Sequence, residues 1–171
     1  MEVPENARMN KVFLSLGSNL GDRGGNLKQA SVLLEQKLGA AINSSNIYET
    51  HGWGTDSENL YLNQALEFHS ASSLREIFRI SADCEAALGR VRSGTLNEDR
   101  VIDIDILFFN NEVLTAGDLQ IPHPRLHLRR FVLIPLQQIA PDLVHPIFGA
   151  TVSQLLDSCE DTLEVRPAGP F

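Results

Sequence analysis

The sequence predicts an α+β fold, a ferredoxin-like βαββαβ sandwich with additional C-terminal elements. Two observations point to it: the order in which apolar periods of two and of three to four alternate along the chain, and a length of 171 residues that suits one compact unit. A composition that is 43% hydrophobic with charges mixed throughout is that of an ordinary globular protein. Lys11 to Leu16 alternates Val12, Leu14 and Leu16 against Phe13 and Ser15 and ends at Gly17, a strand running into a turn. Leu27, Ala30, Leu33, Leu34 and Leu38 then mark one helical face, with Gly39 as a stop. Ala41 to Thr50 and Leu60 to Phe68 read as two strands of a hairpin joined by a long polar loop. Ser73 followed by Glu76 is a capping-box pattern that opens a second helix, carried by Leu74, Ile77, Ser81, Cys84 and Leu88 up to Gly89. Val101 to Phe109 is a β-prone run closed by Asn110-Asn111. A short strand at Leu119 to Ile121 and a helix from about Leu128 to Ile139 complete the order. The expected organisation is a loose leader at 1–10, a single domain at 11–161 and a C-terminal tail at 162–171.

Charge and composition exclude several classes of function. A net charge of -8 does not suit a nucleic-acid or anionic-membrane binder, which must neutralise phosphates over a broad surface. No apolar run approaches membrane-spanning length, and the polar N-terminus lacks a secretory core, so a cytoplasmic location is expected. Cys84 and Cys159 stand far apart, which supports neither a disulfide framework nor a thiolate metal site. Against this acidic background Arg90, Arg92, Arg100, Arg125, Arg129 and Arg130 fall within one stretch, which suggests a small, highly charged anion as ligand.

The pair Asp103 and Asp105 is the most informative. Residues two apart on a strand share a face, and Ile104 between them points the other way. Such a pair is commonly a solvated strand face. Here, however, the same-parity Leu107 and Phe109 make that face look partly buried, and two close carboxylates repel unless a cation lies between them or one stays protonated. Oxygen-only ligands favour magnesium with a phosphate substrate. Gly89-Arg90-Val91-Arg92 taken alone could be ordinary surface, but Arg100, three residues before Asp103, can set a guanidinium fork beside metal-bound phosphates. Gly17-Ser18-Asn19-Leu20-Gly21 lacks the lysine and hydroxyl of a phosphate-binding P-loop and reads as a tight turn. His123, between Pro122 and Pro124, is taken alone more often structural than catalytic, and for Trp53 and Tyr61 core packing is the default and stacking on a flat heterocycle the sharper alternative.

Together these residues resemble the 6-hydroxymethyl-7,8-dihydropterin pyrophosphokinase family of folate biosynthesis. The matching pieces are Leu16-Gly17-Ser18-Asn19-Leu20, Tyr61-Leu62-Asn63, Gly89-Arg90-Val91-Arg92, Arg100 with Asp103 to Phe108, Ile121-Pro122-His123 and Arg129 to Leu136. The resemblance implies transfer of diphosphate from ATP to the hydroxymethyl group of the pterin, with release of AMP. It implies two Mg2+ ions on Asp103 and Asp105, and ATP held by Glu85, Arg90, Arg92, Arg100, Ile106, His123 and Arg129. Arg90 and Arg92 count with the two aspartates as the catalytic set. The pterin would meet Gly17, Thr50, Trp53, Tyr61, Asn63, Asp103 and Phe131, with Tyr61 and Phe131 sandwiching the ring. Two departures stand out. Many family members carry Trp-x-Pro-Arg where this chain reads Asn97-Glu98-Asp99-Arg100, and the usual Thr-Pro-Pro is Thr50-His51-Gly52, followed by Trp53. Competing readings are a ferredoxin-like sensor domain, an RNA-binding module on the same topology, and a kinase that moves a single phosphoryl group. Protein partners are not supported.

Overall fold

The computed structural model describes residues 9–94 and 98–169. The chain forms β1 Asn10–Ser18, α1 Arg23–Leu38, β2 Asn43–Ser44, β3 Tyr48–Thr50, β4 Tyr61–Ser70, α2 Leu74–Ala87 and β5 Asp103–Phe109. Beyond these lie β6 Leu114–Ala116, β7 Leu119–Ile121, a 3-10 turn Leu126–Leu128, α3 Arg130–Ile139, α4 Val152–Asp157 and β8 Val165–Pro167. The main sheet is antiparallel, in the order β5-β1-β4-β3-β8, and β2 also pairs with β4. β6 and β7 form a separate ribbon.

α1 and α2 form where the sequence supplies a capping residue and a buried stripe. Asp22 caps α1 by accepting from the Gly25 N–H, so the helix opens four residues ahead of its first periodic leucine, and Leu27, Ala30, Leu34 and Leu38 bury one side. The Ser73/Glu76 capping box is formed at α2, which buries Leu74, Ile77, Ser81, Cys84 and Glu85. Gly89 follows at φ 89, a left-handed conformation that glycine adopts without a Cβ clash, and it turns the chain toward the arginines.

Several expected elements differ. The strand foreseen over Ala41 to Thr50 is broken into β2 and β3, because Ser45 turns inward and its Oγ accepts from the Ala65 N–H. The helix from about Leu128 begins at Arg130, after the 3-10 turn. Thr151 and Gln154 form a second capping box that starts the short α4. The expected tail contributes β8, in which Glu49 faces Arg166. Of the expected leader, residues 1–8 lie outside the described residues, and Asn10 already opens β1. Asn97 likewise lies outside them.

The sheet is covered on both faces. Val12, Leu14, Leu16, Leu62, Leu66, Ile104 and Ile106 pack with α1 and α2 in one core, and Phe13, Leu107 and Phe108 pack with α3 and α4 in another. Phe13 and Phe108 meet edge to face with centroids 6.3 Å apart, each buried at a gain of roughly 1.5–3 kcal/mol. The parity argument for β5 holds only in part. The register slips between Phe13 and Leu14, leaving Leu107 as an extra residue, so Leu107 shares the aspartate face while Phe109 crosses to the other core.

Candidate active site

The site begins as a row across three strands. In register, Asp103 on β5 lies opposite Gly17 on β1, and Gly17 opposite Asn63 on β4; one step along, Asp105 faces Ser15. Gly17 matters because it has no side chain: the floor between Asp103 and Asn63 stays open, and a Cβ there would lie 3.5 Å from Asn63 Oδ1. Asn63 is buried, and its amide donates to Thr50 Oγ1 at 3.0 Å, which fixes which end of the amide faces the opening. Above this row is a cavity of about 690 Å³ that wraps over the edge strand β5 toward α2. Every expected binding residue lines it: Gly17, Thr50, Trp53, Tyr61 and Asn63 at one end, Glu85, Arg90, Arg92, Arg100 and Ile106 at the other, with Asp103, Asp105, His123, Arg129 and Phe131 between.

At the α2 end one buried carboxylate organises the cations. Glu85, 3% exposed, accepts the Ile104 backbone N–H at 2.8 Å and Arg92 at 2.9 Å, and it pairs with Arg90. Arg90 also reaches Asp103 Oδ1 at 2.6 Å, and Arg100 reaches Asp103 Oδ2 at 2.9 Å. Burial disfavours the charge on Arg90, but Asp103 and Glu85 outweigh it and raise the guanidinium above its ordinary pKa. The resemblance set Glu85 against the nucleotide; its closest partners are Arg90, Arg92 and the backbone of β5.

Asp105 stands in a different environment. Burial and then the nearby Asp103 charge push its carboxyl up to about 7, opposed by Arg129. The proton that eases this repulsion can be replaced by a divalent cation. Among the described residues no third His, Cys, Asp or Glu completes a metal cluster. The two carboxylates thus fit magnesium that draws its remaining ligands from water and phosphate oxygens, and they do not fit a structural all-protein site. His123 is held down to about 4 by burial and by Arg129 and Arg125, so it is neutral near pH 7. Its Nδ1 accepts the Arg125 N–H at 3.2 Å, which leaves the proton on Nε2, 3.8 Å from Asp105.

Arg129 has an idle donor: among the described residues its buried Nε has no hydrogen-bond partner, and its guanidinium lies 5.0 Å from the centre of the Trp53 ring and 5.6 Å from that of Phe131. Burial lowers its pKa. A guanidinium held on aromatic faces with an idle donor is suited to an anion that arrives with the substrate. Trp53, the single tryptophan of the chain, therefore reports on Arg129. Adding the reduced pterin with magnesium and a non-hydrolysable ATP analogue should change its fluorescence, whereas an unchanged spectrum would mean that Trp53 stays on Arg129 throughout.

Sequence reasoning did not single out Asn19, Asn59 or Asp99, which join the Arg100 segment to the turn after β1. Nor did it assign Arg125 or Gln120 to the cavity, although both line it. The concentration of arginines was the signal for Arg125. Nothing local marked Gln120, which reaches the cavity through the β6–β7 ribbon.

Residues 13–141 match the family described as 7,8-dihydro-6-hydroxymethylpterin-pyrophosphokinase. The chain is 39% identical over 138 residues to a 2-amino-4-hydroxy-6-hydroxymethyldihydropteridine pyrophosphokinase of Porphyromonas gingivalis, covering 79% of this chain and 93% of that protein. With the Bacillus subtilis protein of the same description it shares 36% over 146 residues, covering 85% and 87%. Among solved structures, wild-type HPPK-DHPS of Plasmodium falciparum superposes with a TM-score of 0.72 at 17% identity. That superposition covers 91% of this chain but only 45% of the other, a likeness of fold.

Proposed function

The chain belongs to the 7,8-dihydro-6-hydroxymethylpterin-pyrophosphokinase family, and on that premise we propose that its cavity holds ATP and the reduced pterin on either side of Asp103 and Asp105. The enzyme is a pyrophosphokinase of folate biosynthesis: it transfers the terminal diphosphate of ATP to 6-hydroxymethyl-7,8-dihydropterin. The observation that carries the residue assignment is the row Asp103, Gly17, Asn63, in which the Asp103 carboxylate lies across one open glycine from the amide suited to a pterin edge.

In this reading Asn63, held by Thr50, hydrogen-bonds the pterin edge, Tyr61 and Phe131 take its two faces, and Gly17 lets the ring approach. Trp53 closes the same end. Asp103 and Asp105 would hold two Mg2+ ions, which would supply charge neutralisation at the phosphates. Arg90, Arg92, Arg100 and Arg129 take the phosphate oxygens, with His123 and Ile106 beside the nucleotide and Glu85 keeping the arginines aimed. The hydroxymethyl oxygen attacks the β-phosphorus and loses its proton, the bond from that phosphorus to the α–β bridging oxygen breaks, and AMP leaves. Positioning and charge neutralisation supply most of the acceleration, so no side chain is assigned as a strong base. The strand order β5-β1-β4-β3 with α1 and α2 on one face supports a ferredoxin-like core, and the two shared cores support a single domain over 11–161 that β8 extends to Pro167.

The direct test incubates the protein with magnesium, ATP and the reduced pterin and resolves the nucleotides by chromatography. Pterin-dependent AMP formed in step with diphosphorylated pterin is expected; ADP would mean transfer of one phosphoryl group. Tyr61→Ala is expected to raise the KM for pterin roughly ten- to hundredfold, the loss of about 1–3 kcal/mol of stacking, with little change in the KM for ATP. Equal effects on both substrates in steady-state assays would remove Tyr61 from the pterin end.

A further inference from the structure

Arg100 reaches Asp103 from a short segment that contains no helix or strand, yet its backbone is fixed. Its N–H donates to Asn19 Oδ1 at 2.7 Å, and its carbonyl accepts from the Asn19 N–H at 3.2 Å. Asn19 is 3% exposed and belongs to the turn after β1, so it is a rigid anchor. The residue before Arg100 extends the same connection. Asp99 Oδ1 accepts from Asn19 Nδ2 at 2.7 Å, and its Oδ2 accepts from Asn59 Nδ2 at 2.6 Å, on the loop that precedes β4. A hydrogen bond from Ser57 on that loop, with those from the two asparagines, holds the Asp99 carboxyl below its ordinary range. One carboxylate thus ties three separate pieces of chain together, and both of its oxygens are taken by amide donors.

We propose that Asp99 is a positioning residue for the pyrophosphoryl transfer: it fastens the Arg100 segment to the turn after β1 and to the 57–59 loop, so that the Arg100 guanidinium is already aimed at the phosphate site beside Asp103. This rests on the reading that Arg100 takes up an ATP phosphate. A carboxylate suits the position because both of its oxygens accept and carry charge. An amide at 99 would give its oxygen to Asn19, whose own oxygen is held by the Arg100 N–H, and its NH2 could be met only if Asn59 turned its amide over, so the charge-assisted pair of bonds would be lost. Among the described residues the bonds of Asp99 go to Asn19 and the 57–59 loop, and the effect proposed for it on substrate passes through Arg100.

The test is a double-mutant cycle read by calorimetric binding of magnesium with a non-hydrolysable ATP analogue, which does not depend on turnover. Asp99→Ala is expected to weaken binding about three- to tenfold, the range for charge-assisted hydrogen bonds at an exposed carboxylate. Asp99→Asn should weaken it by a similar factor despite its equal size, and it is the variant to read if Asp99→Ala melts early. In an Arg100→Ala background the Asp99 substitution should add nothing. Wild-type affinity in both Asp99 variants would overturn the proposal, as would an equal loss with and without Arg100. If Arg100→Ala alone leaves affinity untouched, the phosphate role of Arg100 fails first and the positioning role falls with it. A loss in the Asp99 variants beside an intact Arg100 effect but full additivity would instead make Asp99 a general support of the fold.

Discussion

Asp103→Ala and Asp105→Ala are each expected to lower turnover at least about a thousandfold, because on the proposed assignment each removes a carboxylate that would bring the divalent cation to the phosphates, a contribution of several kcal/mol. The conservative Asp105→Asn separates this from folding. In the metal-free protein Asp105 carries a pKa raised to about 7 by burial and by Asp103, so the folded state holds a proton that the unfolded chain releases near its ordinary value of about 4. The sign follows: this carboxyl favours the folded state at low pH, and that favour is lost as pH rises through about 7. Asp105→Asn should therefore melt at a higher temperature than the parent in chelator at about pH 8, and at nearly the same temperature at about pH 4, while turnover is abolished. Thermal melts at the two pH values check this. Near-normal rates in either aspartate variant would remove the metal assignment.

Glu85→Ala is expected to produce the largest loss of stability of any single change at the site. It deletes a carboxylate that is 4% exposed at its side chain and leaves Arg90, 13% exposed, with one of its two partners. Breaking a buried ion pair costs about 3–5 kcal/mol, and the surviving Arg90–Asp103 contact sets the expectation at the lower end. For a chain of this size about 3 kcal/mol corresponds to a fall of roughly 6–12 °C in Tm. Glu85→Gln keeps an acceptor for the Ile104 N–H and should lose less. A calorimetric melt of Glu85→Ala that matches the parent would show that Asp103 alone holds Arg90.

The sequence carried the parts of the fold whose signals are local. The leucine stripe of α1 and the Ser73/Glu76 box of α2 each report on a few adjacent residues, and both helices form where those residues stand. β8 was not legible because Val165–Pro167 becomes a strand only through Tyr48–Thr50, more than a hundred residues away. Phe109 was misplaced for a related reason: alternation assumes an unbroken ladder, and the extra residue at Leu107 is decided by how β1 and β5 pack. The residues expected at the site were marked by local motifs, and all of them line one cavity. What could not be read was their division of labour. Glu85 looked like one more ligand, Asn19 was only part of a matched turn and Asp99 only part of a departure from the family pattern, because the contacts of each span 19 to 81 positions of sequence.

The link from Glu85 to the backbone of β5 has a consequence for how molecules of this enzyme meet one another. β5 ends the sheet, and a terminal strand normally presents free N–H and C=O groups on which another chain can add a strand. Here the Ile104 N–H is taken by a buried carboxylate, and the Leu107 carbonyl accepts the His123 N–H at 2.9 Å from the segment after β7. A second copy approaching along that border would have to break both bonds and enter a field of arginines and aspartates. The cluster proposed to hold phosphate thereby also occupies the border of the sheet, and variants that empty it, Glu85→Ala foremost, are expected to gain a tendency to self-associate along β5, detectable by light scattering.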